Sequence, residues 1–204
     1  MTACAGDTFD HLDTAALRKQ HLRRHLRRQR RLLSPRQRRL AARRCTVKTL
    51  ALPGLRRARR VGVYLHHGAE LATTALIAAL RQRGVEVYVP VPRAEGRMLW
   101  VALTSRTRLA HGRYGIRAPR QNKPRIPLNR LQWLVVPLVG VDTQLNRLGA
   151  GGGYYDRLRD NPQHLPRWLG WAYAQQCVDQ LPCEPWDRPL DALITDRRPR
   201  WPTG

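Results

Sequence analysis

The chain has 204 residues, 42% of them hydrophobic, enough to enclose one core of ordinary domain size. No apolar run is long enough to span a bilayer. The opening stretch MTACAGDTFDHLDT has neither the basic start nor the apolar core of a leader, so a single cytoplasmic domain without a membrane span is expected, with flexible tails over about 1–12 and 197–204. A net charge of +24 suits a phosphate-bearing partner, but 35 of the 38 cations are arginines scattered along the chain and no nucleic-acid-binding pattern accompanies them, so only non-specific polynucleotide binding is expected from charge.

In chain order, Asp13 or Thr14 can cap a first helix on which Leu22, Leu26 and Leu33 share a narrow stripe at about 100° per residue. Most arginines from Arg24 to Arg31 point away from it, whereas Lys19 and Arg23 lie at its edge, four residues apart. Ser34, Pro35 and Gln37 form a capping-box pattern that starts a second helix, running to about Leu50, and Pro53 and Gly54 break it. VGVYL (61–65) reads as a buried strand, the segment 73–84 as a helix ended by Gly84, and VEVYVP as the next strand.

Thr104 to Arg130 reads as loop. Further strands are expected over 98–103, 133–137, 170–173 and 192–194, with a helix starting near Tyr154. Alternating strands and helices point to an α/β fold with three α/β/α layers around a mostly parallel, Rossmann-like open sheet, preceded by a helical segment. The cysteines, Cys4, Cys45, Cys177 and Cys183, contain no CxxC pair and the histidines no metal-ligand spacing, so free thiols and no structural zinc are expected.

The segment NRLGAGGGYYDR (146–157) places four glycines within five residues. Glycine gives nothing to pack and costs backbone entropy, so such a cluster suits a backbone that must approach an anion closely. Neither GxGxxG nor a Walker A loop is present, because Tyr154 stands at the last glycine position of the first and no Gly-Lys-Ser/Thr occurs. On spacing alone a ligand-free glycine turn remains an equal alternative.

The longer run VVPLVGVDTQLNRLGAGGGYYDR resembles the signature of the 5-formyltetrahydrofolate cyclo-ligase (methenyltetrahydrofolate synthetase) family. So, in order, do KQHLR (19–23), LLSPRQ, ELAT (70–73), YVPVP, GRYGIRAP (112–119) and LPCEPWDRPLDALIT (181–195). The chain departs from the family pattern at Ala72, Ala118 and Val141.

The resemblance implies a ligase that uses ATP and Mg²⁺ to cyclise 5-formyltetrahydrofolate to 5,10-methenyltetrahydrofolate, releasing ADP and phosphate. It assigns the ATP to Lys19, Arg23, Arg147, Leu148, Gly149, Ala150, Gly151, Gly152, Gly153, Tyr154 and Tyr155. Arg147 and Tyr154 would be catalytic, and Asp156 and Asp187 would hold Mg²⁺. Leu65, Glu70, Tyr114, Tyr154 and Gly151 to Gly153 would contact the reduced folate. Apart from the resemblance, Asp156 also reads as a first-turn helix carboxylate, Asp187 as a surface partner of Arg188, and Glu70 and Tyr114 as ordinary loop residues. A monomer is expected. The alternatives are a basic nucleic-acid-associated protein on the same fold and an ATP-dependent ligase for another amide.

Overall fold

The computed structural model describes residues 14–93, 97–111, 117–119, 124–160, 165–184 and 187–199. Of the two candidate caps, Thr14 begins helix α1 (Ala15–Leu32): its backbone is extended and its hydroxyl accepts from the Leu17 amide. Leu22 and Leu26 are the buried residues of this helix, as the stripe requires. Helix α2 (Pro35–Ala51) opens with the full capping box, Gln37 N–H donating to Ser34 Oγ and Ser34 N–H to Gln37 Oε1. A single turn, α3 (Pro53–Arg56), leads into strand β1 (Arg60–Val63).

Helix α4 (Thr74–Gln82) is followed by Gly84 at φ 76°, and strand β2 (Glu86–Pro92) then runs parallel to β1. Strands β3 (Met98–Ala102), β4 (Leu109–His111), β5 (Arg117–Pro119) and β6 (Arg125–Ile126) follow. Next come β7 (Trp133–Val136), β8 (Gly140–Val141), β9 (Arg147–Leu148), β10 (Arg167–Ala172) and β11 (Ala192–Thr195).

The main sheet has the order β11-β10-β7-β1-β2-β3-β6. Its pairs from β11 to β2 are parallel, while β3 and β6 add antiparallel pairs at one edge. The expected mostly parallel α/β sheet is therefore present. Strands buried on both faces read as apolar runs, and β7 has all four residues buried. Trp133 and Val135 pack with Leu76, Leu80 and Cys45 on the face covered by α2 and α4. Leu134 and Val136 pack with Trp100 and Trp168 on the other. Among the described residues, that second face is packed by Leu128, Leu145, Tyr155 and Leu158, which lie outside the α-helices.

Two local expectations change. The segment 104–130 is not simply loop: β4 pairs with β5, β6 joins the main sheet, and Leu128–Arg130 forms a 3-10 turn. The pattern is short and broken by Pro and Arg, and only tertiary pairing makes it strand. Between β7 and the glycines runs the antiparallel hairpin β8–β9. No α-helix starts near Tyr154; Tyr154 and Tyr155 form a turn and Asp156–Asp160 a 3-10 helix. Glycines at 151, 152 and 153 supply no helical propensity to nucleate one.

The order of the strands positions the site. From β1 the chain goes outward to β2 on one side and later returns to β7 on the other. The carboxyl ends of β1 and β7 therefore part into a crevice, where open parallel sheets bind ligands.

Candidate functional site

The crevice opens into a cavity of about 400 Å³. The end of β1 supplies Tyr64, Leu65 and Glu70, the end of β7 supplies Pro137 and Leu138, and Pro90, Pro92 and Met98 come from the β2–β3 edge. The rest of its described wall is Val139, Arg147, Gly149 to Gly153, Tyr154, Tyr155 and Asp156. Leu65 and Glu70 thus face the glycine loop across one cavity although some eighty residues of sequence separate them.

A buried carboxylate builds the loop's foundation. Asp142 is fully buried; its Oδ1 accepts from the amides of Gln144 (3.0 Å) and Asn146 (2.8 Å), and its Oδ2 from Asn146 Nδ2 (2.9 Å) and the Leu181 amide (3.2 Å). These four donors satisfy both oxygens of the buried carboxyl group. They fold the β8–β9 turn, in which Leu145 takes a φ of 64°. Leu148 ends that hairpin, and its side chain is buried with Leu22, Leu26, Val139 and Leu181. It therefore anchors the loop to α1 and does not line the cavity, unlike the other loop residues grouped with it in sequence.

Arg147 is held on several sides. Its guanidinium lies 5.6 Å from the ring centres of both Tyr155 and Trp168, one Nη donates to Asp156, and only 5% of the side chain is exposed. Its Nε–H is buried with no hydrogen-bond partner among the described residues. A Cβ on Gly149 would stand 2.8 Å from Arg147 Nη1, so any side chain there would make the guanidinium shift. Gly151 and Gly153 have φ values of 101° and 65°, which side-chain-bearing residues rarely adopt.

Helix α1 grips the same loop from outside. Arg23 Nε donates to the Gly149 carbonyl at 2.9 Å and Arg27 Nη2 to the Ala150 carbonyl at 2.9 Å. Burial, and then the Arg27 charge, lowers the pKa of Arg23 despite the opposing pull of Asp156 and Asp187. Lys19, one turn earlier, forms a 2.8 Å ion pair with Asp187. Burial raises the Asp187 carboxyl, but the Lys19 ammonium and the Glu184 amide together outweigh it and hold the pKa below the ordinary carboxylate value.

The predicted residues are therefore gathered with two distinctions. Arg147, the glycines, Tyr154, Tyr155, Asp156, Leu65 and Glu70 line the cavity, whereas Lys19, Arg23 and Asp187 flank the loop on the side of α1. Asp187 pairs with Lys19, while Arg188 turns to Asp191. Glu70 Oε2 accepts from the His67 amide at 2.9 Å, closing the turn after β1, and its other oxygen is not used in that bond. Tyr114 lies outside the described residues. Among those described, no group of three or more His, Cys, Asp or Glu gathers around one point, and no helix is long and apolar enough to cross a membrane.

Two contributors escaped the sequence reading. Arg27 continues the four-residue spacing of Lys19 and Arg23, a signal present in the pattern. Arg157 reaches back to the Gly152 carbonyl at 2.9 Å and lies 5.4 Å from the Tyr154 ring centre, which no spacing announced.

Comparison with known proteins shows the family. The profile of the 5-formyltetrahydrofolate cyclo-ligase family matches residues 15–196. The 5-formyltetrahydrofolate cyclo-ligase of Escherichia coli K12 is 36% identical over 174 residues, 83% of this chain and 96% of that protein. Its namesake in Haemophilus influenzae is 36% identical over 184 residues, 87% and 97% of the two chains. The solution structure of the 5,10-methenyltetrahydrofolate synthetase of Aquifex aeolicus superposes with a TM-score of 0.76 at 29% identity, covering 89% of this chain and 91% of that one. The chain belongs to the 5-formyltetrahydrofolate cyclo-ligase family.

Proposed function

We propose that this member of the cyclo-ligase family converts 5-formyltetrahydrofolate to 5,10-methenyltetrahydrofolate with hydrolysis of ATP. The observation that carries the reading is the placement of Arg147 and the glycine loop opposite Glu70 and Leu65 in a single crevice. A site for phosphoryl transfer to a folate needs a phosphate cradle and a pterin-sized cleft side by side.

The chemistry explains the residue types. The formyl oxygen, a poor leaving group, attacks the γ-phosphorus of ATP and releases ADP; N10 of the folate then attacks the formyl carbon, and phosphate departs as the new C–N bond forms. Phosphoryl transfer rests on positioning and charge neutralisation. Arg147, flanked by two rings, presents a positive charge at the cavity wall, and the amides of Gly149 to Gly153 would donate to the phosphates. Tyr154 lies where the folate and the γ-phosphate meet, and the free acceptor capacity of Glu70 suits the amino and ring N–H donors of a pterin.

Asp156 and Asp187 are the carboxylates suited to Mg²⁺, which takes one or two such ligands together with nucleotide oxygens and would shield phosphate charge. Both carboxylates act electrostatically on Arg23, which fits a common location, and each is engaged by a cation. Binding Mg-ATP then exchanges partners: Lys19 and Arg147 pass from carboxylate to phosphate. Every residue named belongs to one chain, so a monomer suffices, and we place the reaction in the cytoplasm.

The test is an assay of purified protein with 5-formyltetrahydrofolate and Mg-ATP, following the methenyl chromophore in the near ultraviolet together with ADP. Equal amounts of both products are expected. ADP formed without the chromophore would assign the chain to another amide substrate.

A further inference from the structure

Between Thr14 and Ala69 the chain carries eighteen Arg or Lys residues and no Asp or Glu. The crevice uses Lys19, Arg23 and Arg27, while Arg38 and Lys48 donate to the backbone carbonyls of Arg31, Leu33 and Thr195. On α2, successive steps of about 100° put Arg36, Leu40, Arg43, Val47 and Leu50 on one stripe about 80° wide, with Arg39 at its edge. Arg36, Arg39 and Arg43 are exposed, as are Leu40 (46%) and Val47 (64%), and the stripe is about 21 Å long.

The stripe runs into a cleft. Val47, Leu50, Arg56 and Arg83 line a depression that continues into a cavity of about 220 Å³, where Arg57 and Arg59 join them over a floor including Leu55. Arg83 is fixed there by donating to the Leu50 carbonyl at 2.9 Å. Among the described residues, no carboxylate lines either part. Arg59 precedes β1 and Gly84 and Val85 precede β2, so the cleft lies at the amino ends of these strands, opposite the crevice.

We infer that this face, from Arg36 along α2 to the cleft of Arg56, Arg57, Arg59 and Arg83, is a binding surface for the phosphate backbone of a polynucleotide. A solvated helix face ordinarily mixes signs, whereas seven guanidiniums in a row without an acid repel one another unless an anion joins them. Guanidinium forks match phosphate oxygens better than ammonium groups do. The apolar residues between them are aliphatic, and among the described residues no aromatic ring lines the cleft to stack a base, so the surface binds phosphates without choosing a sequence. This inference does not depend on the folate reaction.

The experiment is a fluorescence-anisotropy titration of the full chain with a labelled mixed-sequence RNA of twenty nucleotides at several KCl concentrations. Seven phosphate contacts predict a slope of log K against log salt of about −5 for a single strand. The triple variant Arg39→Glu/Arg43→Glu/Arg57→Glu is expected to weaken binding at least a hundredfold and to flatten the slope by about 2, with cyclo-ligase turnover unchanged. Should that variant not fold, the same three positions changed to Gln give the readout. Unchanged affinity and slope in a folded variant, or no binding by the natural chain at 150 mM KCl, would overturn the inference. So would a poly-aspartate peptide that binds as tightly as the RNA, since the surface would then belong to acidic proteins.

Discussion

Lys19 and Asp187 stand 168 residues apart in sequence and 2.8 Å apart in space, joining the first helix to the segment before the last strand. Each belongs to the proposed Mg-ATP site, one as phosphate ligand and one as metal ligand, and without ATP they neutralise one another. Lys19→Ala is expected to lower turnover at least tenfold while costing roughly 1–3 kcal/mol of stability. Steady-state kinetics with varied ATP, beside a urea denaturation curve, separates the two; full activity in the variant would remove Lys19 from the site.

The pH dependence of stability follows from the same pair. The Asp187 pKa is lower in the folded chain than its ordinary value, so its contribution is present above about pH 4 and is lost as pH falls through the folded value. Urea midpoints measured from pH 6 to pH 3 should fall, and Asp187→Asn should show a shallower fall over that window. Parallel curves would mean that other carboxylates carry the acid sensitivity.

Asp156→Asn keeps the shape of the side chain and removes the charge that holds Arg147. With Asp156 at the cavity wall, turnover with Mg-ATP should drop by a factor of ten or more and the Mg²⁺ requirement should rise, with the melting temperature nearly unchanged. Unaltered Mg²⁺ dependence would exclude this carboxylate as the metal ligand.

Gly149→Ala tests the clamp on Arg147. The new methyl would lie 2.8 Å from Arg147 Nη1, so the guanidinium has to shift relative to Asp156 and the two rings. A fall in kcat larger than the rise in KM for folate is expected, because the displaced charge serves the transferring phosphoryl group.

Asp142→Asn should cost about 2–4 kcal/mol, since whichever way the amide turns, its NH₂ meets two of the four donors that the carboxylate satisfied. Denaturant titration measures it. A change below about 0.5 kcal/mol would mean that the hairpin does not depend on this network.

The helices α1 and α2 and the strands β1, β2, β7 and β11 were legible in the sequence because their signals are local. Capping residues satisfy free amides beside them, leucine spacing follows the helical turn, and strands buried on both faces have to be apolar throughout. The glycine loop was legible as a place where backbone meets an anion, and the order of its neighbours pointed to the family to which the chain belongs. The sequence alone could not show that Asp142 builds the loop, that Leu148 is anchored beneath it, or that Arg157 folds back over Tyr154. Nor could it show that the chain after Tyr154 turns instead of forming an α-helix. Each of these depends on donors, rings or packing partners brought together by the crossing from β2 back to β7, and contacts made across a sheet leave no period in the sequence. The same crossing opened the crevice between β1 and β7, so the sequence determined which groups the chain carries and the tertiary structure decided which of them face one another.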